Sequence, residues 1–458
     1  MDDLSRYQDD IGQLARLKTY THLLLGFPIS NETDRDSIVK ALEDAALALT
    51  ATFPWLAAKV MHEGRTAENS GVFRLKPCPD FAPPNSVVII QDRSDVCLPY
   101  DQIRAAKGPV SMLDGKLLGP VIAFPETYEE TKANPARVLV IQANFISGGL
   151  LLDVASQHNF IDGGGLFHCV SLLAKLLRGE TLSDFEVQQG NRDRRNLIPL
   201  LRDDEPMLDH SHLKRPSVTT ASTVGKRPPA AWHCFRFPST KVEENKNRAN
   251  ADLVREAVGE ETAQWVSTND ALSAFLWKRL AAVRFQRRGN PDEFTKLSRA
   301  LDARRAMGIP KEYMGQMGYN ATCRVRFGDL DQMSLGATAA TLRNKVKEVN
   351  TEHSVRSWAT FISQEPDKST IMFGGTFNPD TDVGLSSLAH VELYSQSFGI
   401  LGKPELVRRP NFSPLEGCVY FWSRTESGDI DVLLCLNEAD IEGLKADGEW
   451  KDHTEYIG

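Results

Sequence analysis

Cysteine is scarce in this sequence, and the cysteines do not occur in closely spaced pairs. The seven cysteines are scattered over 458 residues without a CxxC spacing, and their number is odd. A disulfide framework needs pairs, and a structural zinc site usually shows closely spaced ligand pairs. His210 and His212 are near each other, but no third ligand lies close to them in the sequence. We therefore expect no bound metal and a reducing, cytoplasmic location.

An excess of positive charge and long apolar runs are also lacking. The formal net charge is -8, and Lys and Arg form no long cluster of the kind that binds nucleic-acid phosphates. No apolar run is long enough to span a bilayer. The first residues, MDDLSRYQDDIGQL, are acidic and lack the basic and apolar regions of a signal peptide. These absences predict no nucleic-acid partner and no membrane partner.

Several common catalytic motifs are missing as well. The sequence contains neither a GxSxG nucleophile elbow nor a P-loop ending in GK[ST]. The three glycines at 163–165 lack the GxGxxG spacing of a dinucleotide-binding loop and follow an aspartate. Phosphoryl transfer and hydride transfer are therefore disfavoured.

The length and the distribution of residue types predict two domains. A chain of 458 residues is too long for one ordinary core. From about residue 180 the periodicity fades into a segment rich in charge, Pro, Ser and Thr, and strand character resumes at CFRFPST. We predict an N-terminal domain over residues 1–180, a linker over 181–231 and a C-terminal domain over 232–458.

Local patterns predict individual helices and strands. TYTHLLLGFPI has strand composition, and apolar residues then recur at helical steps from Ile38 to Phe53. Residues 138–157 read as two strands around a Ser-Gly-Gly turn, and LFHCVSLLAKLLRG after them predicts a helix. STNDALSAFLWKRLAAVRFQRRG begins with capping residues, carries one apolar stripe and ends at Gly289, which predicts another helix.

The stretch QHNFIDGGG, residues 157–165, lies between a predicted strand and a predicted helix. Loops in this position often carry functional side chains. In one interpretation His158 ends the strand and Asp162 begins an Asp-Gly turn for reasons of backbone geometry. In the other, His158 is a general base and Asp162 shapes the site around it.

A second distinctive segment is VGLSSLAHVELYSQSFGILGKPELVRRPNFSP, residues 383–414. Lys403 and Arg408 bring cations into a region with turn character, where they could hold the phosphates of a ligand. Taken alone, the segment is better explained as a solvated loop with ordinary surface cations.

Together, HNFIDGGG and SFGILGKP resemble the two signatures of the BAHD superfamily of CoA-dependent acyltransferases, HxxxDG and DFGWG. The similarity is closer to the fungal trichothecene 3-O-acetyltransferase group. It rests on blocks that occur in family order along nearly the whole chain: PWLAAKV, NFISGGLLLDVASQH, STNDALSAFLWK, LDARRAMG, GYNA, LSS and GKPELVRRP. An ordered set of this kind is more specific than the five-residue HxxxD pattern alone.

The resemblance implies an α/β (α+β) fold and a transferase activity. Two chloramphenicol-acetyltransferase-like domains, each a mixed β-sheet flanked by helices, would be joined by a long crossover, with a channel between them. His158 would act as general base and move an acetyl group directly from acetyl-CoA to the hydroxyl of a small-molecule alcohol. The implied acceptor is a fungal secondary metabolite, with a trichothecene C3 hydroxyl as the best single choice. The family expectation is a monomer without a tightly bound cofactor.

The resemblance also assigns supporting roles near the catalytic histidine. Asp162 would point away from the substrate and form an ion pair with Arg304, which shapes the His158 loop. Gly163 and the glycines after it would allow backbone angles that a side chain would block.

Further residues would line the substrate channel. The family pattern places Asn320 and Leu388 at its wall, and Leu388 stands where many relatives carry Trp. Ser386 and Ser387, together with Lys403 and Arg408, would contact CoA: these four are the expected CoA-binding residues.

The sequence departs from the family pattern at Ser397, which replaces the leading aspartate of DFGWG. The loss of this carboxylate would remove a charge-assisted contact on the CoA side. Two other interpretations therefore stay open beside the O-acetyltransferase. One is a related acyltransferase with another acyl donor or an amine acceptor, and the other is a noncatalytic relative that binds a metabolite.

Overall fold

The computed structural model describes residues 3–30, 34–124, 134–215, 228–256 and 264–458. The strands in these ranges are β1 Tyr20–Pro28, β2 Lys59–Glu63, β3 Val72–Lys76, β4 Val88–Asp92, β5 Leu139–Ile146, β6 Gly149–Gln157, β7 Ala230–Phe237, β8 Phe294–Asp302, β9 Gly318–Arg326, β10 Asp382–Ser387, β11 Leu406–Arg408, β12 Cys418–Arg424, β13 Ile430–Asn437 and β14 Glu455–Tyr456. The α-helices are α1 Arg35–Thr52, α2 Tyr100–Ala105, α3 Gly115–Leu118, α4 Gly163–Leu177, α5 Asp184–Gly190, α6 Ser239–Arg255, α7 Thr268–Arg288, α8 Phe327–Gln332, α9 Leu335–Val349, α10 Glu352–Gln364, α11 Glu438–Ala446 and α12 Gly448–His453.

The first large sheet is mixed and has the strand order β11-β1-β6-β5-β4. Its centre is the hairpin of β5 and β6, whose two-residue turn places Gly148 at a φ of 74°, a conformation that glycine adopts without steric cost. Every residue of β5 and β6 is buried. The two strands and the turn predicted over 138–157 are confirmed.

The second large sheet is also mixed, in the order β14-β7-β13-β12-β10-β8-β9. Strands β8, β10 and β12 run parallel to one another, and the other pairings are antiparallel. Apolar side chains of this sheet pack against α7 and α9 in a core that includes Phe275, Trp277 and Leu434. A short third sheet pairs β2 with β3.

The predicted helices begin and end at the expected signals. Asp34 caps α1 by accepting hydrogen bonds from the backbone of Asp36 and Ser37. Ser267 and Asp270 form a reciprocal capping box at the start of α7, as expected of a capping sequence. Helix α4 begins at Gly163, so the three glycines form its first turn and do not precede it.

The two sheets do not follow the predicted division of the chain. Strand β11 comes from the segment assigned to the C-terminal domain, yet it pairs with β1 at the edge of the first sheet, with Leu24 opposite Arg408. From this position the Arg408 side chain reaches Asp431 on β13 of the second sheet, with 2.8 Å between Nη2 and Oδ2. A buried ion pair therefore ties the two sheets together.

The segment predicted as a linker is mostly exposed where the structure describes it, with a few buried side chains. Residues 184–190 form α5, and Arg194, Ile198 and Leu213 are buried. Residues 216–227, which belong to the same predicted linker, lie outside the described residues. The fading periodicity thus coincides with an exposed segment in which only single side chains are covered by other parts of the chain.

In the part of the chain that the structure describes, no helix combines the length and the apolar character needed to cross a membrane.

Candidate active site

His158 directly follows β6, at the point where the chain turns toward α4. Its backbone N–H donates to the carbonyl of Thr19 with a donor–acceptor distance of 2.8 Å, so β1 holds the start of the turn. The imidazole Nδ1 lies 3.2 Å from the carbonyl oxygen of Ile161. Because a carbonyl oxygen can only accept, we assign the ring hydrogen to Nδ1, and in this tautomer Nε2 keeps its lone pair.

The surroundings favour the neutral form of this imidazole. Burial lowers the pKa of His158 below the ordinary value for histidine, and the negative charge of Asp162 opposes that shift without cancelling it. The residue retains partial exposure. The combination of a neutral ring, a free lone pair and access to solvent is what a general base requires.

Gln316 also lies beside Nδ1 of the imidazole and was not identified from the sequence. It is 1% exposed, and its side-chain amide donates to the main-chain carbonyl of His158. The same nitrogen is 3.1 Å from Nδ1, but Nδ1 already carries the hydrogen that Ile161 accepts. The Gln316 amide therefore donates to the main-chain carbonyl of His158 and covers the imidazole beside Nδ1. The one sequence signal for Gln316 is its place in GQMGYN, just before the family block GYNA.

Asp162 turns away from His158 and has no unused acceptor position. Its carboxylate caps α4 by accepting from the backbone N–H of Gly165 at 2.8 Å, and it accepts from the N–H of Met317 at 2.9 Å. Two further hydrogen bonds of 2.8 Å come from Nη1 and Nη2 of Arg304. The expected ion pair is present, in the bidentate geometry that guanidinium and carboxylate favour.

Arg304 extends this network to the segment before β9. It is 3% exposed, and its guanidinium also donates to the carbonyls of Tyr313 and Gly315, at 3.0 and 2.8 Å. Burial alone would lower the pKa of Arg304, but the charge of Asp162 raises it above its ordinary value. Arg304 thus fixes the backbone on both sides of Gly315, next to Gln316.

The reason expected for the glycines needs correction. None of Gly163, Gly164 and Gly165 has a positive φ, because they form a helical turn. A Cβ on Gly163 would meet its nearest neighbour at an ordinary 3.7 Å, whereas one on Gly164 would lie 3.0 Å from Nη1 of Arg304 and one on Gly165 would overlap the carbonyl of Met314. Close packing at Gly165, and not backbone freedom at Gly163, is therefore what the site requires.

Two family models match this sequence. The Trichothecene 3-O-acetyltransferase-like N-terminal domain matches residues 19–176, and the Transferase family matches residues 122–451, more than half of the chain. This chain belongs to the Transferase family.

Relatives of the whole chain carry acyltransferase names. O-acyltransferase pigD of Monascus ruber is 46% identical over 100% of this chain and 100% of its own. O-acetyltransferase epaC of Aspergillus niger is 45% identical over 100% of this chain and 98% of its own. The crystal structure of F. graminearum TRI101 complexed with coenzyme A and deoxynivalenol superposes with a TM-score of 0.89 at 32% identity, covering 98% of this chain and 99% of that one. The predicted family and fold class are confirmed, and the chain is an acyltransferase.

Asn320, expected at the channel wall, and Ser386 and Ser387, expected at CoA, lie on the second sheet of this Transferase-family chain. Asn320 on β9 is opposite Ala300 on β8, and Ser386, the next-to-last residue of β10, is opposite Tyr420 on β12. By the alternation of side chains along strands, Asn320 and Ser386 share one face of the sheet, whereas Ser387 faces the other. Leu388 packs against the core of the first sheet. The contacts of these residues with substrates stay predictions.

The two cations expected at CoA differ in their placement. Lys403 is exposed and lies 3.1 Å from a carboxylate oxygen of Glu426. Arg408 is 1% exposed, and its guanidinium is occupied by Asp431 and by the carbonyls of Lys107 and Gly108. The expectation for Arg408 is corrected, since a buried and fully engaged guanidinium is not placed to meet a phosphate.

At Ser397, where the sequence departs from the family pattern, other contacts hold the segment in place of the missing carboxylate. The main-chain carbonyl of Ser397 accepts from Nη1 of Arg178 at 2.6 Å, just after the last turn of α4. The next residue, Phe398, is fully buried and packs edge-on against Phe27 with ring centroids 5.2 Å apart. This segment is therefore held through its backbone and Phe398 and does not depend on a carboxylate at position 397.

Among the residues that the structure describes, no group of three or more His, Cys, Asp or Glu side chains is arranged to hold a metal ion. His210, one of the two histidines considered as ligands, instead lies 2.9 Å from the hydroxyl of Ser357.

Proposed function

We propose that this acyltransferase moves an acetyl group from acetyl-CoA to a hydroxyl group of a small fungal secondary metabolite, with His158 as the general base. The observation that carries the proposal is the state of the imidazole. Nδ1 lies 3.2 Å from the carbonyl oxygen of Ile161, and with the ring hydrogen assigned to Nδ1 the lone pair of Nε2 is left for an incoming hydroxyl.

The proposed reaction needs no covalent intermediate on the protein. Nε2 of His158 takes the proton of the acceptor hydroxyl as its oxygen attacks the thioester carbonyl of acetyl-CoA. Collapse of the tetrahedral intermediate breaks the carbon–sulfur bond, and the imidazolium returns the proton to the leaving thiolate. The products are the acetate ester and CoA, so one side chain serves both proton transfers.

The choice of donor is supported by the relatives. O-acetyltransferase epaC carries acetyl transfer in its name, and TRI101 has been crystallised with coenzyme A. Lys403, Ser386 and Ser387 are the residues that we propose for contacts with CoA. Asn320 and Leu388 are proposed for the wall of the acceptor site.

The acceptor that we propose to test first is a trichothecene C3 hydroxyl. F. graminearum TRI101 was crystallised with deoxynivalenol, and this chain shares 32% of its residues with that protein. At this identity many side chains around a pocket differ, so other hydroxylated metabolites belong in the same assay. We also propose that the protein acts as a cytoplasmic monomer, which sedimentation and fluorescence localisation would test.

The test is an assay with acetyl-CoA and a panel of hydroxylated sesquiterpenoids, polyketides and alkaloids. Release of free thiol is followed together with product mass. We expect a product heavier by one acetyl group, no turnover in His158→Ala, and unchanged turnover in the control His212→Ala, which alters an exposed histidine. Full turnover by a folded His158→Ala protein would contradict the assignment of the base.

The same assay separates the alternatives. Acetylation of an amine but of no alcohol would replace the proposed acceptor class. If no product forms, titration calorimetry with acetyl-CoA decides the next step, because absent binding would favour a noncatalytic relative.

A further inference from the structure

The back of the His158 loop is covered by the first residues of the chain. Short 3-10 turns at Ile11–Gln13 and Ala15–Leu17 lie against it. The side-chain amide of Asn159 donates to the carbonyls of Gly12 and Leu14, at 2.6 and 3.0 Å. Asn159 is 1% exposed. The second residue of the HxxxD motif is thus fixed by a segment about 145 positions away in the chain.

Arg194 holds the third residue of the motif from a position 34 residues further along the chain. It lies in the segment predicted as a linker, yet it is 2% exposed. Its Nη1 donates to the carbonyl of Phe160 at 2.8 Å, and its backbone N–H donates to the carbonyl of Arg6 at 2.7 Å. Arg194 therefore connects the loop with the N-terminal segment that also holds Asn159.

Aromatic rings surround the Arg194 guanidinium. Its Cζ is 4.3 Å from the ring centroid of Trp55, 5.5 Å from that of Tyr7 and 5.7 Å from that of Tyr313. A planar guanidinium can stack on such rings while it donates from its edge, which an ammonium group cannot do. The packing of the Arg194 guanidinium against these rings therefore sets the direction of its hydrogen bond to the Phe160 carbonyl.

We propose that Arg194 is a positioning residue for the base His158. The inference rests on the proposed function and adds a residue to it. The carbonyls of Phe160 and Ile161 belong to neighbouring peptide groups, and Ile161 is the acceptor for Nδ1–H of His158. Arg194 holds the first carbonyl and thereby keeps the second one directed at the imidazole. The tautomer with a free Nε2 depends on that direction.

Arg194 does not touch the imidazole, and it acts through the backbone of the motif. Its removal leaves the carbonyl of Phe160 buried without a donor, and that peptide group can then turn to find another. The turn carries the Ile161 carbonyl away from Nδ1. A displacement of about 1 Å in a catalytic group can cost about 100-fold in rate.

The experiment compares Arg194→Met, Arg194→Lys and the neighbouring control Arg195→Met. Arg195 has a half-exposed side chain and pairs with Asp193, so its loss should be neutral. Two readouts are needed. Nitrogen-15 spectra of histidine-labelled protein report the tautomer of His158, which is assigned by the signal lost in His158→Ala. Steady-state kinetics with acetyl-CoA give kcat and KM separately.

We expect Arg194→Met to lower kcat by about 10-fold to 100-fold with KM for acetyl-CoA within about twofold of the unmodified protein. The Nδ1–H signature of His158 should weaken or disappear. Arg194→Lys should give values of kcat and of the Nδ1–H signature between those of Arg194→Met and the unmodified protein. The lysine ammonium keeps a donor but cannot stack as a planar group. Arg195→Met should match the unmodified protein in both readouts.

A folded Arg194→Met protein with unchanged kcat and an unchanged His158 tautomer would overturn the inference. If that variant does not fold, Arg194→Lys decides: a weakened tautomer signature supports the inference, and an intact signature overturns it. The spectra need no acceptor. An unmodified protein without turnover would therefore count against the proposed function, while the effect of Arg194 on the tautomer would still be measured.

Discussion

Asp162 and Arg304 face each other through two parallel hydrogen bonds of 2.8 Å, with both side chains almost fully buried. The two residues are 142 positions apart and come from the turn after β6 and the turn after β8. Because β6 and β8 belong to different sheets, this one ion pair joins the sheets at the His158 loop. The Asp162 carboxylate is thereby fully occupied by the guanidinium and by two backbone N–H groups.

Breaking this pair should cost stability. In Asp162→Asn, the buried charge of Arg304 loses its partner, and we expect the free energy of unfolding to fall by about 3–5 kcal/mol. Chemical denaturation measures the change. Asp193→Asn is the matched control, since it breaks an exposed pair with Arg195 and should cost less than about 1 kcal/mol. Equal losses in the two variants would refute the structural role of the buried pair.

Removal of the Gln316 amide should affect the rate more than the fold. Gln316→Ala leaves the carbonyl of His158 without its donor and frees one side of the imidazole. We expect kcat to fall by about 10-fold to 100-fold and stability by about 1–3 kcal/mol. Steady-state kinetics and thermal unfolding test this, with the exposed Gln332→Ala as control. An unchanged kcat would show that the amide does not position the base.

The first turn of α4 should tolerate a methyl group at one glycine and reject it at another. Gly163→Ala has ordinary space for Cβ, so we expect little change and even a small gain in helix stability. In Gly165→Ala the methyl group would overlap the Met314 carbonyl, and we expect a loss of about 1–3 kcal/mol. Thermal unfolding of the two proteins gives the comparison. Greater damage from Gly163→Ala would contradict the packing argument.

The pH dependence of turnover should reflect a depressed histidine pKa. In the proposed mechanism His158 acts in its neutral form, so kcat/KM should fall on the acid side, where the ring becomes protonated. Burial lowers the pKa of His158, so the midpoint of that fall should lie below the ordinary value of about 6.5. A profile of kcat/KM from pH 4.5 to 9, over about two decades of rate, would measure the midpoint. A midpoint above 7 would be inconsistent with this site.

The sequence determined the elements whose signals are local. The strand pattern of residues 138–157, the capping residues of α7 and the helical stripe from Ile38 onward all appear in the structure. These signals can be read because side-chain burial repeats with the period of the element itself. The ordered family blocks also led to His158, Asp162 and Arg304, since a family pattern already carries contacts that single residues do not reveal.

Tertiary structure alone decided what lies around the histidine. Gln316 reaches His158 across 158 positions, and Arg194 reaches Phe160 from a segment without regular periodicity. Arg408 was predicted at a ligand because its sequence neighbours suggested a turn, but pairing of β11 with β1 buries it against Asp431. Whether a polar side chain meets solvent, a ligand or a buried partner depends on which distant strand lies beside it, and a local pattern contains no information about that strand.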